Sequence, residues 1–167
     1  EIYTLSLHDV LPIYMIGFSD AGFRQLTTTS KKITSLDDIV GMKIRVMTNP
    51  YHIMYWNALG ASATPIEFSE LFMSLQQNPI DGEEIPYMNI VGNNLHEVQK
   101  YIIETNHIGH IITFFMNATL YNGLPENVRS LVDACAAAAT EYGNDQADES
   151  IAAYKQVCED AGCEIIT

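Results

Sequence analysis

The sequence predicts a doubly wound α/β sheet, and three observations predict it. Short apolar or β-branched runs alternate along the chain with stretches of helical spacing. Glycines, prolines and Ser, Asp or Asn caps fall at the joints between them. Close to half of the 167 residues are apolar, enough for a packed core in a chain of this length.

Each element has its own local reason. Gly17 to Thr29 reads as a strand and turn, its threonines favouring β structure. Ser35 caps a helix whose first turn holds Asp37 and Asp38 and whose terminator is Gly41. Lys43 to Met47 is a strand. Pro50 opens a helix that Tyr51 to Leu59 continue as far as Gly60. Thr64 to Ile66 is a short strand. Ser69 caps a second helix, Glu70 to Gln77, which Asn78-Pro79 ends. Ile80 to Ile85 is a strand with Gly82 at a tight point, and Tyr87 to Leu95 is a helix or helical turn. Val98 to Glu104 and Ile108 to Asn117 are two further strands. Pro125 opens a long helix to about Asp160, with Gly143 a weak point inside it. Val128, Leu131, Val132, Cys135 and Ala139 share one face of that helix. Glu164 to Ile166 is the last strand.

Charge narrows the classes of partner. The formal net charge is −13, from 21 acids against eight bases. Nucleic acid and anionic membrane surfaces both require positive surface, so neither is expected as a partner. No apolar run reaches the ~18 residues of a membrane-spanning helix, so no direct membrane insertion is expected. Three cysteines are too few for a disulfide scaffold. They read as small buried thiols, with a Cys158–Cys163 bridge left open.

Only three arginines occur, and one of them, Arg45, stands inside the apolar run Ile44-Arg45-Val46-Met47. A guanidinium keeps its proton and offers five donors in a planar fork. Placing one among strand-forming apolar residues costs desolvation unless an anion meets it. On a doubly wound sheet, ligands bind beyond the carboxyl ends of the strands. Arg45 lies near such an end, directly before Thr48-Asn49-Pro50. The loop of Thr48 and Asn49, the free amides of the Pro50 helix and Arg45 together predict a carboxylate site. Other chemistry has little support. His107 and His110 are three apart on a strand and face opposite sides, so no metal site is expected. Glu83 and Glu84 are strand neighbours that point apart, the wrong arrangement for an acid–base pair. No nucleophile elbow and no phosphate-binding glycine loop occur, so no catalytic residue and no cofactor is assigned.

Five stretches carry a resemblance. They are Ser35 to Val46 (SLDDIVGMKIRV), Ala58 to Pro65 (ALGASATP), Phe68 to Gln77 (FSELFMSLQQ), Asp81 to Pro86 (DGEEIP), and His96 to Tyr101 (HEVQKY) with Thr105-Asn106-His107. In order and spacing this set resembles the dicarboxylate-receptor family, the solute-binding receptors of tripartite ATP-independent periplasmic (TRAP) transporters. The similarity runs over roughly residues 14–167. It implies a periplasmic-binding-protein type II-like fold of two α/β lobes closing on a small carboxylate ligand, a periplasmic location, and delivery to TRAP membrane subunits. It also implies that Arg45 makes a two-pronged salt bridge to the carboxylate, with Arg24 a second donor and Phe68 an apolar wall. Glu84 is expected to accept from ligand or to hold Arg45. Where the family often places a ligand-contacting asparagine, this chain has Ile85. That departure implies a less polar pocket, suited to a mono- or dicarboxylate, a keto acid or an aromatic acid. An α/β enzyme using Arg45 to orient a carboxylate substrate is the other reading.

The resemblance also divides the chain. Residues 1–13 (EIYTLSLHDVLPI) match no family segment and read as a non-native leader; they do not have the pattern of a signal peptide. Residues 14–110 and 151–167 read as the ligand-binding lobe. Residues 111–150 read as a crossover strand and long helix of the other, mostly missing lobe, making the chain an incomplete receptor. The strand Ile111 to Met116 and the helix face of Val128, Leu131 and Val132 are then expected to be thinly covered and prone to self-association.

Overall fold

The computed structural model describes residues 12–167, so residues 1–11 of the segment read as a leader lie outside the described residues. Six strands form one mixed sheet in the order β3-β2-β4-β1-β5-β6. They are β1 (Ile13–Thr28), β2 (Lys43–Val46), β3 (Ser62–Pro65), β4 (Gly82–Pro86), β5 (Tyr101–Asn117) and β6 (Glu164–Ile166). The helices are α1 (Pro50–Ala58), α2 (Leu71–Gln76), α3 (Tyr87–Gly92), α4 (Ala118–Gly123) and α5 (Glu126–Asp160). The chain divides into two compact units. One holds residues up to Ala21 together with Ile111–Asp148, and the other holds Gly22–His110 with Glu149–Thr167. Residues 14–21, assigned from sequence to the ligand-binding lobe, therefore group with Ile111–Asp148 instead.

In the larger unit, β2 runs parallel to β3 and to β4, the arrangement that crossover helices impose. β1 runs antiparallel to β4, from Arg24 opposite Pro86 to Thr28 opposite Gly82. The sheet is therefore mixed and not wholly parallel. Side chains alternate across the sheet and separate two cores. Leu26, Ile44, Val46 and Trp56 of α1 pack on one face. Ile85, Leu71, Leu75, Tyr87, Ile90 and Ile102 pack on the other, together with Cys158 and Cys163. Each fully buried aliphatic side chain contributes about 1.5–3 kcal/mol. Gly82 is required where β4 meets β1, since a Cβ there would stand 2.1 Å from the Thr27 carbonyl oxygen.

Several elements differ from the sequence reading, each for a local reason. The segment after Ser35 is a 3-10 turn, Leu36–Ile39, in which Asp38 accepts from the Thr34 and Ser35 amides. Ser69 does not cap a helix; it sits inside a second 3-10 turn, Phe68–Glu70, which leads into α2. The two strands expected across residues 98–117 are one, β5, kinked but not broken at Asn106, whose φ is 44°. All three cysteines are free thiols: Cys158 and Cys163 are buried as expected, whereas Cys135 is exposed.

In the smaller unit, Tyr14 stacks on Tyr121 at 3.9 Å between ring centroids, and the Tyr121 hydroxyl donates to Asp133 at 2.6 Å. Gly143 does not interrupt α5. It is a close-approach position, where a Cβ would meet the Ser19 Oγ at 2.2 Å. Among the described residues of this unit only Ser19, Tyr121 and Ala136 are buried. Ile111, Phe115 and Leu131 are exposed to 64%, 49% and 63%, so this strand and helix face are thinly covered, as their sequence context implied.

Candidate functional site

Arg45 is the third residue of β2, held in register between Thr64 of β3 and Glu83 of β4. That central position buries it to 2% exposure. Its Nε donates to the Ile66 carbonyl at 2.9 Å, while its Nη1 is buried with no hydrogen-bond partner among the described residues. The guanidinium carbon lies 6.0 Å from the centroid of the Phe68 ring. Burial pulls its pKa below the ordinary arginine value, and the charges of Glu83 and Glu84 act against that. The group stays protonated, so an unsatisfied charged donor is held ready.

That donor lines a cavity of about 190 Å³, shared with Arg24, Met47, Phe68, Ile85, Asn89 and His110. The cavity sits where β2 and β4 end and where the chain leaves β3 through Phe68. Phe68 is 43% exposed, which makes it a wall of the cavity and not a core residue. Ile85 is buried and contributes an apolar side.

Arg24 also reaches the cavity, but its fork is already occupied. Its Nε and Nη2 donate to the two carboxylate oxygens of Glu84 at 2.5 and 2.9 Å, and Nη2 also donates to the Glu84 carbonyl. The expectation that Glu84 holds Arg45 is thereby corrected: Glu84 faces the other side of the sheet, opposite Leu26, and holds Arg24. His52 Nδ1 lies 3.0 Å from one Glu84 oxygen and His107 Nε2 lies 3.1 Å from the other. Burial pushes Glu84 upward, yet the hydrogen bonds from His107 and Arg24 and the charge of Arg24 outweigh it, holding the carboxyl at about 2. An ionised carboxylate only accepts, so both imidazole nitrogens carry N–H toward it. His107 is set in place by Tyr55, stacked at 5.6 Å, and by the edge of Trp56 at 5.1 Å.

Thr48 and Asn49 do not line the cavity. The Thr48 hydroxyl donates to Glu67 at 2.8 Å, and Asn49 caps α1 by accepting from the Tyr51 amide at 2.9 Å. Sequence reasoning missed Met47, Asn89 and the three histidines. His110 Nδ1 is 3.2 Å from Arg24 Nη1, and burial together with the Arg24 charge holds its pKa below the ordinary value, favouring the neutral ring. His52 was the legible one: it stands in the first turn of the helix that follows Arg45. Glu83 points away from Glu84 and accepts from the Thr27 hydroxyl at 2.9 Å. Burial pushes its carboxyl up to about 8.

The arrangement can neutralise an anion against apolar walls. The family model for bacterial extracellular solute-binding protein, family 7 (DctP) matches residues 7–167, opening inside the segment read from sequence as a leader. A solute-binding protein of Roseobacter denitrificans is 40% identical over 147 residues, covering 88% of this chain and 45% of that protein. The C4-dicarboxylate-binding periplasmic protein of Rhodobacter capsulatus is 32% identical over 149 residues, covering 88% of this chain and 44% of its own length. A crystal structure of a TRAP periplasmic solute-binding protein from Roseobacter denitrificans with bound L-galactonate superposes with a TM-score of 0.86 at 38% identity, covering 92% of this chain and 51% of that one. Another, from a Sulfitobacter species with bound β-D-galacturonate, reaches 0.89 at 28% identity, covering 93% of this chain and 52% of that one. The chain thus spans about half the length of the relatives it matches. With the family model matched along nearly the whole chain and the fold shared with periplasmic receptors, the chain belongs to the DctP family of TRAP periplasmic solute-binding proteins, which are receptors and not enzymes.

Proposed function

We propose that the unit formed by Gly22–His110 and Glu149–Thr167 is the ligand-binding lobe of a periplasmic receptor that captures a small organic acid and delivers it to TRAP membrane subunits. The observation that carries this reading is the buried, unpartnered Nη1 of Arg45 facing an apolar-walled cavity. A buried donor without a partner costs about 1–3 kcal/mol, and more when charged, so an incoming carboxylate recovers that cost. Arg45 is the anchor, and Phe68 and Met47 are walls for the carbon skeleton. Arg24, paired with the ionised Glu84, is a fixed polar group at the cavity rim and leaves the net positive charge there to Arg45.

Ile85 decides the class of acid. It leaves that side of the cavity without a hydrogen-bond partner for a ligand hydroxyl. Asn89 and His110 are the uncharged polar side chains that remain in the lining. The lining therefore favours a mono- or dicarboxylate, a keto acid or an aromatic acid over a heavily hydroxylated one. The relatives supply the contrast for testing this: those described above hold L-galactonate and β-D-galacturonate, and one from Desulfovibrio salexigens holds orotic acid.

Calorimetric titration with L-galactonate, D-glucuronate, orotate and a short keto acid tests the reading. Binding of a carboxylate, lost when its carboxyl is replaced by an amide, is expected, with the ligand recovered unchanged by mass spectrometry. Equal binding of acid and amide, or recovery of a product, overturns the reading.

A further inference from the structure

The end of α5 brings two thiols together by backbone geometry alone. The Gly162 amide donates to the Glu159 carbonyl at 2.9 Å, and the Cys163 amide donates to the Cys158 carbonyl at 2.9 Å. Gly162 has φ of +94°, a left-handed conformation that favours glycine. These two bonds and that glycine define a Schellman cap, in which the side chains three residues before and two residues after the helix end turn toward one another. An apolar pair normally fills those two positions. Here they are Cys158 and Cys163, both buried in the same core cluster, with the Cys163 thiol donating to the His96 and Gln99 carbonyls at 3.4 and 3.2 Å.

We infer that Cys158 and Cys163 are a disulfide-forming pair that clamps the C-terminal strand to the end of α5. The joint matters to the sheet. β6 pairs with β5, from Tyr101 opposite Glu164 to Ile103 opposite Ile166, and the Glu164 amide donates to the Lys100 carbonyl at 2.9 Å. Lys32 pairs with Glu164 at the surface and is the sole side-chain ion pair of β6 among the described residues. A covalent link at the cap keeps the strand in register when that exposed pair is screened.

The chemistry requires a disulfide donor of the glutathione type. Cys163 is the first nucleophile, because it lies beyond the end of α5 and is the thiol freed when β6 undocks, whereas Cys158 stays within the helix. The Cys163 thiolate attacks one sulfur of the donor, forming a mixed disulfide and releasing one donor thiolate. The Cys158 thiolate then attacks the Cys163 sulfur and releases the second. Two cysteine protons leave with the two donor thiols, and two electrons pass to the donor. The exchange takes place while β6 is undocked; docking then buries the bridge. Cys135 is exposed on the helix and stays outside it.

The test is made on the whole chain, unfolded and refolded in a buffer of oxidised and reduced glutathione, then trapped by alkylation under denaturing conditions. Lys155 is the last basic residue, so the tryptic peptide beginning at Gln156 carries both cysteines. That peptide is expected unalkylated and lighter by the mass of two hydrogens, with Cys135 alkylated, and the mass loss is expected to vanish in Cys163→Ser. Alkylation of all three cysteines overturns the inference. So does a bridge that recruits Cys135 in the unmutated chain. The assay reads covalent state only, so it stands or falls separately from ligand binding.

Discussion

Glu83 and Glu84 are adjacent on β4 and lie in opposite ionisation states at neutral pH. Glu84 meets Arg24, His52 and His107 on one face and is held at about 2. Glu83 meets the Thr27 hydroxyl on the other face, and burial raises it to about 8. The alternation of a strand places the two carboxyls in different solvents although they are one residue apart.

The first prediction concerns pH. Glu83 rises from an ordinary 4.5, so between about 4.5 and 8 the folded chain holds a proton that the unfolded chain has lost. Folding stability therefore falls across that window as pH rises, by at most about 1.4 kcal/mol per pH unit. Glu84 acts at the acid end: its folded value is lowered, so the stability it contributes is present above 4.5 and is lost as pH falls toward 2. Glu83→Gln should flatten the slope between pH 5 and 8 and leave the acid limb in place. Urea denaturation at pH 5, 6.5 and 8 measures it; an unchanged slope in the variant refutes the assignment.

Arg45→Ala should weaken carboxylate binding by roughly 2–5 kcal/mol, the cost of truncating one partner of a buried charged pair. Arg45→Lys should restore only part of it, because the planar fork is lost. Isothermal titration on the three proteins decides the matter, and equal affinity across them removes Arg45 as the anchor.

Glu84→Gln should destabilise the fold by about 3–5 kcal/mol, since it leaves the buried Arg24 charge without its carboxylate. The double variant Arg24→Met with Glu84→Gln should recover a large part of that loss. If the double variant is as unstable as the sum of the singles, the two residues are not coupled.

Gly82→Ala should lower the melting temperature sharply, because its Cβ would stand 2.1 Å from backbone that cannot rotate away. A cost of about 3 kcal/mol or more is expected for such an overpacked position. Circular dichroism melting checks it, and a near-wild-type midpoint shows that β1 and β4 can separate without penalty.

Much of this was legible from local signals. Pro50, Gly60 and Gly41 bracket short elements, and their positions follow from backbone dihedral preferences that act within a few residues. The burial of Arg45 followed from its apolar neighbours, and its place at a strand end followed from the loop after it. What local signals do not contain is pairing. Arg24 and Glu84 lie 60 residues apart and meet because β1 runs antiparallel to β4, a direction set by how the whole sheet packs. The same packing turns Glu84 away from Arg45 and brings His52 and His107 to it from separate elements. By itself the sequence determined most of the elements, the family and the placing of a buried arginine at a strand end. The tertiary structure decided which charges face one another, because electrostatic partners are chosen by distance in space and by the low dielectric of a closed core, neither of which exists in the extended chain.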